Sequence, residues 1–172
     1  MTQPTTNAPA PRRRRLRAVG TLLASVGLAL TLAGTAVAAP VGAAARVVTV
    51  DGKTFRLRMV ASGLDLPSSG GTVHVSGSGY NPAQPVTVSL CAIPEGVTVG
   101  DTSTYTQQPT PCLGGAGAIT EADDGAFAAD LVVKPAIQSG AVCGVSVRCA
   151  IVTKSTNTTQ RTYDQYIKVN FG

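Results

Sequence analysis

Tryptophan is absent from this 172-residue chain, histidine occurs once and aromatic residues make up only 4%. A lone histidine, with no pair of Cys-x-x-Cys motifs, excludes the zinc sites built from clustered imidazole and thiolate ligands. The only rings are Phe55, Tyr80, Tyr105, Phe127, Tyr163, Tyr166 and Phe171, so the core is small and needs covalent staples. Helical periodicity is missing over residues 47–172, and no segment there can supply the crossover helices of a parallel α/β sheet. No apolar run beyond the first forty residues is long enough to span a bilayer. A surplus of charge is also missing once the N-terminus is set aside. Five of the fourteen basic residues precede residue 18, which leaves nine against nine acids. The formal +5 therefore points to no nucleic-acid or membrane partner for the rest of the chain.

What the N-terminus does hold is an export signature. Arg12, Arg13, Arg14, Arg15 and Arg17 precede an apolar run from Ala18 to Ala33 and then Ala36-Val37-Ala38, the three regions of a secretory signal peptide. Cleavage is expected after Ala38, with Ala45 as a second candidate; twin-arginine export and an uncleaved anchor are the alternatives. The organisation expected is a signal peptide over 1–38, an alanine-rich linker over 39–46 and one secreted, monomeric domain over 47–172. Cys91, Cys112, Cys143 and Cys149 all lie in that domain. In an oxidising compartment an even set reads as two disulfides. Four cysteines permit three pairings, among which sequence alone does not choose. The local arrangement, Cys91 with Cys112 and Cys143 with Cys149, needs the fewest long crossings and is the expected one.

Period-two alternation fills the rest. Strands are expected over Val47–Val50 and Thr54–Val60 around the hairpin dipeptide Asp51-Gly52, over Gly71–Ser76 and over Val86–Cys91. A polar stretch from Pro94 to Gly117 reads as a loop tied at its ends by Cys91 and Cys112. Ala118–Thr120 and Ala126–Val133 flank Asp123-Asp124-Gly125, a second hairpin signal, and Val142–Thr153 and Tyr163–Phe171 complete the set. Seven or eight short strands with regular turn punctuation predict an all-β, immunoglobulin-like Greek-key sandwich or barrel, seven-stranded with an extra N-terminal hairpin.

Enzymatic constellations are thin. His74 alternates with Thr72 and Ser76 on what reads as a solvated sheet face, and Ser78 in Gly77-Ser78-Gly79 lacks the surroundings of a nucleophile elbow. Glu121, Asp123 and Asp124 fall where acids are ordinary turn residues. Asn157-Thr158-Thr159 matches a glycosylation sequon but reads as a polar loop. No catalytic residue, metal or cofactor is expected.

From Val60 to Phe171 the order of signals resembles the neocarzinostatin family of secreted apoproteins that carry enediyne chromophores. Ser62-Gly63-Leu64 precedes Gly71-Thr72-Val73-His74-Val75-Ser76-Gly77-Ser78-Gly79-Tyr80, as in that family's SGL and GTxVxVxGxGL. Val86 to Cys91, the loop closing at Cys112, Thr120 to Val133, the close pair Cys143 and Cys149, and Ile167 to Phe171 follow in the family's order. The resemblance implies a non-enzymatic, antibacterial carrier that holds an apolar chromophore in a cleft beside one sheet, any DNA damage being done by the chromophore. Placed from the cysteines, the cleft wall would be Ile93, Thr110, Ala150, Val152, Lys154 and Tyr166. The chain departs from the family where carriers place bulky aromatics, having Ile93 and Gly117 there, a shortened ribbon over Ala136–Val142 and an enlarged Cys91–Cys112 loop. The other reading is an extracellular or cell-surface immunoglobulin-like module with no small ligand.

Overall fold

Alternating apolar residues and Gly or Asp turns produce two stacked sheets in the computed structural model of the protein, which describes residues 41–113, 118–120, 125–156 and 160–172. The signal-peptide reading, the acids 121–124, Gly117 and the sequon 157–159 lie outside the described residues. Asp51 and Gly52, both with positive φ, turn β1 (Val41–Val50) into β2 (Lys53–Ser62), a hairpin ten residues long on each side. The first strand therefore begins at Val41. It takes up residues 41–46, expected as linker, because every second residue there faces the sandwich and pairs across to β2.

β4 (Gly71–Ser78) and β7 (Phe127–Val133) complete a four-stranded antiparallel sheet in the order β1-β2-β4-β7. The second sheet runs β3-β9-β8-β5-β6, from β3 (Asp65–Leu66) through β9 (Gln165–Phe171), β8 (Cys149–Ser155) and β5 (Val86–Ala92) to β6 (Ala118–Thr120). Seven strands are seven residues or longer; β3 and β6 are short additions. The sheets do not close into a barrel, so the sandwich alternative of the immunoglobulin-like expectation is the one observed.

Two further expectations differ from the structure. β6 and β7 do not form a hairpin about Asp123-Asp124-Gly125: β6 pairs with β5 in one sheet and β7 with β4 in the other. Gly125 takes φ +70° where a Cβ would collide with the Tyr80 carbonyl, and its own carbonyl accepts from Tyr80 N–H. The strand expected from Val142 begins only at Cys149, because 142–147 wraps into a tight turn around the Val142 carbonyl.

Between the sheets, Leu57, Met59, Val73 and Val75 meet Val88, Leu90 and Ile151. Each fully buried aliphatic side chain of this kind contributes about 1.5–3 kcal/mol. Three polar side chains in this layer bond across it: the Tyr80 hydroxyl donates to Gln165 Oε1 (2.5 Å), whose amide nitrogen donates to the Leu57 carbonyl (3.3 Å), and Thr153 Oγ1 donates to the Tyr163 carbonyl (3.0 Å). One buried tyrosine thus links β2, β8 and β9. Both disulfides form as Cys91–Cys112 and Cys143–Cys149. In the chain-entropy description, closing 21- and 6-residue separations stabilises by about 3 and about 2 kcal/mol.

Candidate functional site

The alternation of β5 decides where the site lies. Val86, Val88 and Leu90 point into the sandwich, so Ser89, Cys91 and Ile93 point away from it, to a face that ordinarily meets water. Here that face is buried as well. Cys91, Ile93, Ala150, Val152 and Tyr166 form a second apolar cluster, separate from the core between the sheets, with Tyr166 only 1% exposed.

The cover is the Cys91–Cys112 loop, which folds back over the sheet and adds Val97 and Tyr105 to the cluster. Its base is laced by Ala92 N–H to the Pro111 carbonyl and Leu113 N–H to the Leu90 carbonyl, each 2.8 Å. Further along, Asp101 caps the single 3-10 turn Thr102–Thr104 by accepting from Ser103 N–H (3.1 Å), and Thr104 Oγ1 accepts from Thr98 N–H (3.0 Å). The turn delivers Tyr105. Its ring meets Tyr166 edge-on at 4.6 Å between centroids, and its hydroxyl accepts from Gly100 N–H at 3.0 Å. A void of about 150 Å³ remains between Tyr105, Tyr166, Val99, Gly100 and the start of β1. Small-molecule pockets run to roughly 300 Å³ and more, so a drug-sized ligand needs Tyr105 to move.

Of the six expected wall residues, Ile93, Ala150, Val152 and Tyr166 come together in the cluster. Lys154 stands half-buried at its margin with Nζ donating to Cys112 Sγ at 3.4 Å. Thr110 is not brought in: it is exposed, in the segment leading to Cys112. Sequence reasoning missed Val97 and Tyr105, since a polar loop gives no period from which to assign a face. The signal available was an aromatic, Tyr105, following the valines Val97 and Val99 inside a loop closed at both ends.

A charged cluster adjoins this face, and it too was missed. Arg46 donates through Nη1 to the carbonyls of Arg161 (2.7 Å) and Asp164 (3.2 Å), and its guanidinium carbon lies 5.7 Å from the Tyr105 ring centroid. Arg161 Nη1 is 3.0 Å from Asp164 Oδ2. Burial pushes the Asp164 carboxyl up to about 7 against the opposing pull of Arg161, Arg46 and Lys154. The same desolvation holds Arg46 and Lys154 below their ordinary values. Asp164 Oδ1 and the Tyr166 hydroxyl are buried with no hydrogen-bond partner among the described residues.

The four-stranded sheet offers a second constellation. His74 Nδ1 lies 2.6 Å from Asp130 Oδ1, and Ser62 occupies the paired position on β2. The two partners are 62% and 70% exposed, and no hydrogen bond among the described residues joins Ser62 to His74. Water on this open face screens the pair, and no water-excluded pocket surrounds it. No group of three or more potential metal ligands occurs among the described residues. Nor is any described helix long and apolar enough to cross a membrane.

Fold and site together define a disulfide-tied, immunoglobulin-like β-sandwich whose five-stranded sheet is apolar on both faces. No protein-family model matches the chain, and no curated protein matches it. Among solved structures it is similar to macromomycin, at 19% identity over 76% of this chain and 100% of that one, with a TM-score of 0.42.

Proposed function

We propose that the protein is an exported, non-enzymatic carrier that receives a small apolar molecule on the outer face of the five-stranded sheet, beneath the Cys91–Cys112 loop. The observation that supports this reading is the second cluster itself. A sandwich needs one apolar face per sheet, yet here Cys91, Ile93, Ala150, Val152 and Tyr166 make another, sealed by an irregular loop instead of a further layer. Binding would exchange the Tyr105 ring for ligand. Such a site holds its cargo by desolvation and needs no reacting side chain; any attack on DNA would belong to the cargo after release.

A second reading, an extracellular module with no small ligand, is favoured by the contact of Tyr105 on Tyr166, which fills the face from within the chain. The two diverge in one experiment. Protein isolated from its producer should carry a non-covalent small molecule, visible as absorbance to the red of tyrosine and as added mass under native conditions. A colourless protein that also binds no neutral aromatic probe would leave the module reading in its place.

A further inference from the structure

Three cations, Arg46 from β1, Lys154 from β8 and Arg161 from the turn before β9, gather around one carboxylate at the end of the apolar face. The local charge is therefore positive, all the more because burial keeps Asp164 partly protonated near neutral pH. None of the three is a freely solvated surface charge. Arg46 and Lys154 are half-buried, and the Arg161 side chain is 13% exposed. The hydrogen-bond acceptor that Lys154 has among the described residues is a disulfide sulfur, a weak one for an ammonium. Tyr166, whose ring floors the apolar cluster and lines the 150 Å³ void, has a buried hydroxyl with no hydrogen-bond partner among the described residues. A partly desolvated ammonium whose acceptor is weak, beside a buried hydroxyl with no partner among the described residues, gains most from an anion.

We propose that this cluster is the receiving site for an anionic group, so that the ligand class of the outer face is an apolar molecule bearing a carboxylate, sulfonate or phosphate. The inference rests on the carrier reading above and names what that carrier selects. The apolar body would take the place of the Tyr105 ring over Ile93, Val152 and Tyr166. The anionic end would accept from Lys154 Nζ and from the Arg46 guanidinium, which already stands over Tyr105. Asp164 works against this and tunes it: as a carboxylate it competes with the ligand for the same cations.

The test uses the full mature protein with two probes of similar body, the anionic anilinonaphthalene sulfonate and the neutral N-phenylnaphthylamine, followed by fluorescence titration. The sulfonate should bind about ten-fold more tightly, the scale of one charge-assisted hydrogen bond. Lys154→Gln should remove most of that preference, Lys154→Arg should restore it, and Asp164→Asn should increase it; the neutral probe should be indifferent to all three. Salt should weaken the sulfonate alone. Near-UV circular dichroism of each variant separates lost binding from lost packing. Equal binding of both probes overturns the anionic subsite and leaves the carrier standing. Binding of neither overturns both.

Discussion

Replacing Tyr105 with alanine removes the ring that seals the outer face while leaving every strand in place. The loss has two parts. Burial of an aromatic side chain is worth about 2 kcal/mol, and a cavity the size of the ring, roughly 100 Å³, adds about 2.4 kcal/mol at ~24 cal/mol per Å³ if nothing relaxes. The loop has a route to collapse, since it holds only a short 3-10 turn, so the total should fall between about 2 and about 4 kcal/mol. The lost Gly100 N–H bond lies within that range, and Tyr105→Phe isolates it at about 1 kcal/mol. Urea unfolding followed by far-UV circular dichroism gives the difference directly, provided the slope with denaturant is unchanged. The same variant should enlarge the 150 Å³ void to roughly 250 Å³, close to the lower bound of ligand pockets, and so bind the neutral aromatic probe more tightly. A loss below about 0.5 kcal/mol, with no gain in probe binding, would refute the claim that Tyr105 covers an apolar face.

Three further outcomes are expected. Cys91→Ala with Cys112→Ala should cost about 3 kcal/mol and speed amide exchange across residues 94–111 before any other region, whereas Cys143→Ala with Cys149→Ala should cost about 2 kcal/mol and leave the loop protected; uniform loss of protection in the first variant would contradict a loop closed locally. Asp164 holds its proton up to about 7, while the unfolded chain sheds it near pH 4, so the folded state binds more protons across that window and stability falls as pH rises through it. Asp164→Asn should flatten that slope in a series of thermal melts, and a native protein that gains stability from pH 4 to pH 7 through this residue would reverse the sign and sink the assignment. Tyr80→Phe leaves the Gln165 carbonyl oxygen unsatisfied in the core and should cost about 1–3 kcal/mol, which chemical denaturation measures; a neutral effect would mean that another donor takes over.

Much of this architecture is legible in residue order. The strict alternation Val86, Val88, Leu90 against Ser89, Cys91, Ile93 identifies two opposite faces without any structure, and an isoleucine and a half-cystine on the outer one announce that it is not simply solvated. Alternation, however, assigns faces and not partners. The hairpin expected about Asp123-Asp124-Gly125 fails because whether flanking strands pair with each other or join different sheets depends on long-range contacts such as Gly125 against Tyr80. The alanines before Arg46 look featureless in the sequence, yet they belong to β1, and small residues are needed where that strand runs close to β9: Gly42 lies against the Ile167 side chain. The cationic cluster draws on residues 46, 154, 161 and 164, and no local pattern can bring positions more than a hundred apart to one place.

The ladder at the base of the Cys91–Cys112 loop has a use beyond holding Tyr105. Its two ends are joined covalently and by the bonds of Ala92 with Pro111 and of Leu113 with Leu90, so the loop is closed on β5 alone, while β5 pairs with β8 and β8 with β9 through backbone bonds outside it. Everything between residues 94 and 110 is in effect a cassette. Because the strand pairing beneath lies outside it, a foreign recognition loop grafted at the same two cysteines would leave that pairing intact so long as it supplies a cover for the apolar face now sealed by Val97 and Tyr105.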